Sequence, residues 1–279
     1  MGTLFVAGSF DDIRSPQIRL LQLASRLGTV RVMIWSDRFI KAATGRLPRF
    51  GSAERLYLLA ALRYVSAVQV MDEPDHPSTW APVLDEDPAA VFVQRRDDPP
   101  CLEELCRRRG IAFHAPEPGE LAGFPDDGEA WTTGAEPVSI SAPRRKVVVT
   151  GCFDWLHSGH VRFFEEVSAR GELYVVVGHD ANVRLLKGEG HPRFPQEERR
   201  YLVQAVRFVH RALISSGSGW MDAEPEIAAI GADAYAVNED GDKPEKREFC
   251  RIKGLEYIVL TRTPAPGLPQ RTSTELRGY

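Results

Sequence analysis

Two histidines, His157 and His160, stand three residues apart at a place suited to binding a phosphate. Residues 150–160 read TGCFDWLHSGH and follow a short apolar run, so they connect a predicted strand to the first turn of a predicted helix. Backbone N–H groups at a helix N-terminus have no partners within the helix, and the helix dipole favours an anion there. Two imidazoles at this spacing can face the same anion. The segment therefore predicts phosphoryl chemistry.

The same segment resembles the GxFDxxHxGH signature of the cytidylyltransferase-like family of nucleotidylyltransferases. The corresponding positions are Gly151, Cys152, Phe153, Asp154, His157, Gly159 and His160. The resemblance implies that the two histidines are catalytic and that the other five residues bind the nucleotide. The signature is specific because its glycine, aspartate and histidines all stand at the family's offsets after a predicted strand. The resemblance implies an enzyme that transfers a nucleotidyl group from a nucleoside triphosphate to an acceptor and releases pyrophosphate.

Later segments resemble further motifs of the family and occur in the family's order. In each of them the resemblance implies residues that bind the phosphates of the nucleotide: Lys187 in a Gly-rich stretch, Arg199 near a predicted helix start, and Arg262, Thr272, Ser273 and Thr274 in an ending similar to RTxGISTT. In that ending, hydroxyl and N–H groups at the start of a last helix would hold the β and γ phosphates. The resemblance covers the whole C-terminal domain.

The choice of nucleotide is less specific. Asn238 and Asp240 stand where members that recognise cytosine carry a Gly-Asp-Asp type turn, and Trp220 falls where glycerol-phosphate cytidylyltransferases have a tryptophan near the substrate. We expect CTP, because the ending most resembles cytidylyltransferases for phospho-alcohols. ATP is the alternative, because adenylyltransferases share the HxGH signature. The acceptor is expected to be a small phosphate or phosphonate, and its identity stays open.

The expected reaction is an in-line attack of an acceptor oxygen on the α-phosphorus of the triphosphate. His157 and His160 would donate hydrogen bonds to the α-phosphate, and Lys187 and Arg199 would neutralise the β and γ oxygens. Mg²⁺ would bridge the triphosphate together with water, with Asp154 as a possible ligand. A nucleotide sensor without catalysis is the alternative from another class.

The N-terminal half repeats the C-terminal half with a nearly constant offset. The matching segments are residues 8–11 with 151–154, residues 48–50 with 192–194, and Arg55 with Arg199. Arg14 and Gln17 replace His157 and His160, so we expect the first copy to be catalytically inactive, while Arg55 leaves weak anion binding open. The tandem arrangement resembles ethanolamine-phosphate cytidylyltransferase and implies a pseudo-dimer within one chain, with a homodimer as a further possibility.

The elements around these motifs predict two tandem doubly wound, Rossmann-like parallel sheets of the α/β class. The predicted elements are strands at residues 4–7, 147–150, 173–177 and 234–237, a helix from the HxGH motif to Gly171, and a helix at residues 199–209. Residues 116–145 are rich in Pro, Gly, Asp and Glu and predict a linker. The expected domains are therefore residues 1–115, inactive, and residues 146–279, catalytic.

The composition excludes several classes of partner. The 279 residues include 35 basic and 39 acidic side chains, with a formal net charge of -4, so neither nucleic acid nor an anionic membrane is implied. No window approaches the length of apolar chain that crosses a bilayer, and a cytoplasmic location is the expectation. The cysteines form no CxxC pair or zinc spacing and are expected to be reduced thiols: Cys101, Cys106, Cys152 and Cys250.

Overall fold

The computed structural model of the chain describes residues 2–73, 80, 91–95, 102–125, 144–272 and 276. It divides into two compact units, with the boundary between Gly123 and Phe124. The predicted linker is described only at its ends, where residues 116–125, 144 and 145 form turns and irregular backbone, and its residues 126–143 lie outside the described part.

The first unit contains a parallel sheet of five strands in the order β3-β2-β1-β4-β5. The strands are β1 Thr3–Gly8, β2 Thr29–Trp35, β3 Ala67–Met71, β4 Val91–Val93 and β5 Ala112–His114. The described helices are α1 Ser15–Leu27, α2 Asp37–Thr44, α3 Ser52–Ala60 and α4 Glu103–Arg109. Consecutive buried residues in β1 fit a central parallel strand that is covered on both faces.

The second unit also contains a parallel sheet of five strands, in the order β10-β9-β6-β7-β8. The strands are β6 Lys146–Gly151, β7 Glu172–Val177, β8 Val209–Ile214, β9 Ala234–Asn238 and β10 Glu256–Leu260. The helices are α5 Ser158–Ser168, α6 Asp180–Lys187, α7 Gln196–Gln204, α8 Glu224–Ile230 and α9 Pro244–Lys253. None of the helices in the described ranges is long and apolar enough to cross a bilayer.

The two sheets have the same strand order and direction, which confirms the predicted fold class. In each sheet the central strand is the first strand of its unit. It pairs with the second strand of the unit on one side and with the fourth on the other. The order of strands thus reverses beside β6, between β6 and β9. Ligands of open parallel sheets bind outside the carboxyl ends of the strands at such a reversal. The HxGH segment, which follows β6, lies at this place.

Two helix ends differ from the prediction. The helix predicted at residues 199–209 ends at Gln204, and Val209 opens β8. Val203, Val206 and Val209 are all buried and three residues apart, so the turn after the helix continues its apolar spacing and hides the boundary.

The helix predicted to end at Gly171 ends at Ser168, with Ala169 as its C-cap. Gly171 is therefore not the C-cap, and glycine is needed at this position for a steric reason. A Cβ atom there would lie 2.3 Å from the carbonyl oxygen of Arg145, so only glycine permits the close approach of the two chain segments.

Candidate active site

His157 is the N-cap residue of α5 and is fully buried. Its Nδ1 atom accepts a hydrogen bond of 3.1 Å from the backbone N–H of Gly159. A neutral imidazole carries one proton, so the proton must reside on Nε2. His157 is thereby fixed as a hydrogen-bond donor through Nε2, as the predicted contact with a phosphate requires.

The ring of His160 stacks on the ring of His157, with centroids 3.8 Å apart and planes inclined by 21°. The edge of Phe153 supports His160 from another side, at 5.2 Å between centroids. Phe153 has a φ of 50°, a left-handed conformation, and a Cβ atom on Gly151 would lie 2.8 Å from its ring. Gly151 and Phe153 therefore position the histidine pair, and neither is placed here as a nucleotide contact.

Burial is the main cause that lowers the pKa of both imidazoles. The pKa of His157 lies well below its ordinary value, with the charges of His160, Arg262 and Arg271 acting in the same direction. The pKa of His160 is lowered to about 3 by burial, by Arg262 and by Lys187, against a hydrogen bond to the Trp155 backbone that raises it. Both rings are consequently uncharged at neutral pH, and each carries a single N–H donor.

Basic side chains surround this pair. Lys187 is the last residue of α6, where a cation is favoured by the helix dipole, and Gly188 follows it as the C-cap with a φ of 86°. The lysine, predicted in a Gly-rich stretch, is exposed at this helix end. Its charge acts on both His160 and Cys152, so it lies close to the HxGH segment.

An open cleft runs beside α5 and extends to the segment after β10. Its lining includes Gly159, Arg162, Asn238, Arg262 and Arg271. The Arg271 carbonyl oxygen would lie 3.3 Å from a Cβ atom on Gly159, so glycine lets this segment approach the histidine motif. Three of the residues predicted to bind the nucleotide line this cleft: Gly159, Asn238 and Arg262.

Arg262 connects the two sides of the cleft. Its backbone N–H donates to Glu239, and its guanidinium donates to the carboxylate of Asp240 and, over 2.8 Å, to the carbonyl oxygen of Arg271. Asp240 was predicted to contact the nucleotide, but in the structure it is an ion-pair partner of Arg262.

Arg199 does not face the cleft. Its guanidinium is fully buried and donates to the carbonyl oxygens of Phe194, Cys152 and Gly178, at 2.9, 2.6 and 2.8 Å, and to the Asp180 carboxylate at 2.6 Å. These bonds join four segments around the site. The predicted contact of Arg199 with the β and γ phosphates is therefore replaced by a positioning role.

Asp154 is also held by the protein itself. Its Oδ1 atom accepts hydrogen bonds from the backbone N–H groups of Arg193 and Phe194, at 2.7 and 3.1 Å. This carboxylate fixes the loop before α7, so the structure favours neither a metal-binding nor a nucleotide-binding role for it. Within the described ranges, no group of three or more His, Cys, Asp or Glu side chains could hold a metal ion.

The structure describes some of the remaining residues predicted to bind a ligand and leaves others outside its described ranges. Cys152 is half-buried beside Lys187, and burial raises the pKa of its thiol. Trp220 is 53% exposed and touches Phe249 edge to face, at 6.3 Å between centroids. Thr272 is described in irregular backbone, whereas Ser273 and Thr274 lie outside the described residues, so their predicted phosphate contacts stay predictions.

The first unit reproduces the positioning residues without the histidines. Arg55 donates to the carbonyl oxygens of Phe50, Ser9 and Trp35 and to the Asp37 carboxylate, bond for bond as Arg199 does. Phe10 has the same left-handed φ as Phe153, at 49°. This internal match could have indicated from the sequence that Arg199 is structural, because a residue kept in both copies cannot be explained by chemistry expected in only one.

A pair of neutral imidazoles at a helix N-terminus, surrounded by cations at the reversal point of a parallel sheet, is the site of a nucleotidyltransferase. Residues 148–275 match the model of the family described as cytidylyltransferase-like. The chain is 34% identical over 121 residues to the FAD synthase of Ferroglobus placidus, a match that covers 42% of this chain and 74% of the relative. The chain belongs to the cytidylyltransferase-like family.

Other relatives agree with this assignment. The FAD synthase of Thermococcus kodakarensis is 38% identical over 122 residues, covering 41% of this chain and 77% of the relative. The FAD synthase of Methanocella paludicola is 30% identical over 137 residues, covering 47% and 93%. Among solved structures, a lipopolysaccharide core biosynthesis protein from Thermoplasma volcanium GSS1 is 24% identical, with a TM-score of 0.37, and covers 44% of this chain and 99% of that one.

Proposed function

We propose that the second unit transfers the adenylyl group of ATP to the phosphate of a small acceptor and releases pyrophosphate. The stacked, uncharged pair of His157 and His160 is the observation that carries this proposal. ATP takes precedence over the CTP expected from the sequence, because the relatives reported above bear the name FAD synthase. FMN is the first acceptor to test, since FMN and an adenylyl group together make FAD.

In the proposed reaction, an oxygen of the acceptor phosphate forms a bond to the α-phosphorus while the bond from that phosphorus to the bridging oxygen of pyrophosphate breaks. Negative charge increases on the leaving pyrophosphate and shifts among the α-phosphate oxygens. In this proposal His157 and His160 donate hydrogen bonds to those oxygens, and Lys187 supplies a cation for the pyrophosphate. Neither imidazole needs to exchange a proton with the substrates.

The proposal includes Mg²⁺ bound to the phosphates of the triphosphate. Mg²⁺ keeps several waters and usually takes few protein ligands beside substrate phosphates. The Asp154 carboxylate holds two backbone N–H groups, so it does not fit as the main ligand. When bound, the ion would offset charge on the triphosphate oxygens.

The test is a product assay with ATP or CTP, each combined with FMN, glycerol phosphate, phosphoethanolamine and a phosphonate, in the presence of Mg²⁺. We expect pyrophosphate and a dinucleotide product with ATP and one acceptor, and loss of both in His160→Ala. Product from CTP alone would restore the cytidylyl assignment. Nucleotide binding without product from any acceptor would favour a sensor.

A further inference from the structure

Three polar side chains of the second unit take no part in the mechanism above. Thr150 and Tyr235 join their hydroxyl oxygens at 2.6 Å, and Tyr235 is almost fully buried. The Lys246 ammonium lies 5.9 Å from the centre of the Tyr235 ring and donates to the carbonyl oxygen of Gly241 at 3.0 Å. We call Thr150, Tyr235 and Lys246 the polar trio.

The first unit identifies which of these groups the architecture needs. Val148 of β6 pairs with Tyr235 as Phe5 of β1 pairs with Phe92, so Tyr235 corresponds to Phe92. Two residues further along the same strands, Thr150 corresponds to Ala7. Both hydroxyl groups of the second unit are therefore absent at the equivalent positions of the first.

The ammonium group is absent from the first unit as well. Lys246 and Leu102 each stand four residues before the matching buried cysteines, Cys250 and Cys106. The counterparts of the polar trio all belong to one apolar core cluster: Ala7, Phe92 and Leu102. Tyr235 also belongs to the core cluster of the second unit, so the two units differ in the hydroxyl groups of Thr150 and Tyr235 and in the ammonium group of Lys246. These polar groups occur together with the histidine pair and are absent where the histidines are missing.

Lys246 occupies a position that disfavours a cation. It is half-buried in the first turn of α9, where the helix dipole repels positive charge. Burial and the neighbouring Lys243 lower its pKa, while Asp240 and Asp242 act in the opposite direction. A bound anion would relieve these costs.

The polar trio also contains hydrogen-bond donors that could bind a ligand. An ammonium group has three donor hydrogens, and among the described residues the structure assigns one of them, to the Gly241 carbonyl. Two hydroxyl groups joined to each other use one O–H between them, which leaves the second O–H available for a ligand. A phosphate monoester, with several acceptor oxygens, matches such a set of donors.

We propose that Lys246, Tyr235 and Thr150 form the subsite that binds the anionic group of the acceptor. This rests on the proposed function, since it assigns a phosphate-bearing acceptor to the α9 side of the site. Thr150 directly precedes Gly151, so the polar trio adjoins the segment that carries the histidines. The cleft beside α5 is lined by Gly159, Arg162 and Asn238, and by none of the three residues of the polar trio.

The first test compares Lys246→Gln with Lys243→Gln, which removes an exposed charge three residues away. A hydrogen bond to a charged group is worth enough for Lys246→Gln to raise the KM for the acceptor about tenfold or more, with the KM for ATP unchanged. Lys243→Gln should keep both constants. Equal changes in both KM values, or none in that for the acceptor, would overturn the subsite. A Thr150→Ala/Tyr235→Phe variant, which carries the first unit's own residues, should weaken acceptor binding in the same way.

The second test does not need turnover. Acylation of lysines by an amine-reactive ester is measured by mass spectrometry on the full chain, with inorganic phosphate or with chloride at equal ionic strength. Phosphate should slow acylation of Lys246 several-fold and leave Lys243 unchanged. Protection without product from any acceptor would refute the proposed reaction but support the subsite. Product without protection, together with an unchanged KM in Lys246→Gln, would refute the subsite alone.

Discussion

At the scale of single residues, the site depends on imidazoles that stay uncharged. His157 is fixed as a donor by the N–H of Gly159, and the partly exposed ring of His160 stacks on it. Burial and the nearby cations oppose protonation of either ring. The pair therefore suits a reaction whose transition state needs hydrogen bonds and no transfer of a proton.

The first prediction concerns the pH dependence of this pair. The pKa of His160 in the folded protein is about 3, below the ordinary value of 6.5, so its ring signals in NMR should not titrate between pH 8 and 5. In the unfolded chain His160 binds a proton near pH 6.5, whereas in the folded chain it stays unprotonated until about pH 3. The stability due to this group is thus complete above pH 6.5 and is lost as the pH falls towards 3.

The matching measurement is urea denaturation at pH 7 and pH 5 for the wild type and His160→Gln. The variant should lose less stability between the two pH values than the wild type, because its residue 160 does not titrate. Equal losses in the two proteins, or a His160 resonance that titrates near pH 6.5, would contradict the lowered pKa.

The second prediction concerns catalysis by the same ring. His160→Ala should lower kcat on the order of 10²- to 10³-fold, as loss of one preorganised donor does elsewhere. The matched control is Gln17→Ala, at the corresponding position of the first unit, which should leave turnover unchanged. Substantial turnover in His160→Ala would rule out the assigned role.

At the scale of elements, a buried arginine connects the segments around each site. Arg199 and Arg55 make the same four bonds in the two units. In the third prediction, Arg199→Met and Arg55→Met each lower the free energy of unfolding by about 3–5 kcal/mol, because each leaves a buried network without its donor. Urea denaturation measures this loss. An Arg199 variant that is as stable as the wild type but inactive would instead support direct phosphate binding.

The strand and helix that carry the HxGH motif were predicted from the sequence, whereas the two edge strands of the second sheet were not. The apolar run of β6 and the spacing of the HxGH segment are local signals, and both were sufficient to locate the histidine pair. β8 and β10 were missed, because β8 continues the apolar spacing of α7 and β10 is a short strand whose burial pattern neither alternates nor is continuously buried. The bonds of Asp154 and Arg199 join residues some 40 positions apart, so no local pattern could have distinguished positioning from phosphate binding.

At the scale of the whole molecule, the chain contains two sheets of one design with different residues at their carboxyl edges. The interpretation of the first unit as a degenerate copy remains a prediction, as do the pseudo-dimer and the homodimer. The mass of the full chain in solution would decide between one copy and two. The differences between the units extend beyond the histidines, since Lys187 corresponds to Thr44 at the end of the matching helix.

The fourth prediction is that the histidines alone will not restore the first unit. Arg14→His/Gln17→His, introduced into the His160→Ala background, should give no turnover above that background. The first unit still lacks a lysine at position 44 and polar groups at positions 7, 92 and 102. Recovery of turnover in the pyrophosphate assay would show that the imidazoles are sufficient, and it would weaken the case for the polar trio.

The apolar cluster of the first unit has a consequence for how the chain responds to heat. Ala7, Phe92 and Leu102 add to a continuous core where the second unit has a pair of bonded hydroxyl groups and a half-buried ammonium group, and removing polar groups from water reduces the gain from burial. Calorimetry should therefore resolve two transitions, with the second unit melting first. Because ATP stabilises only a unit that binds it, the nucleotide should move the lower transition and leave the upper one in place. The unfolding temperature of the first unit would then be an internal reference for the effect of ATP on the second.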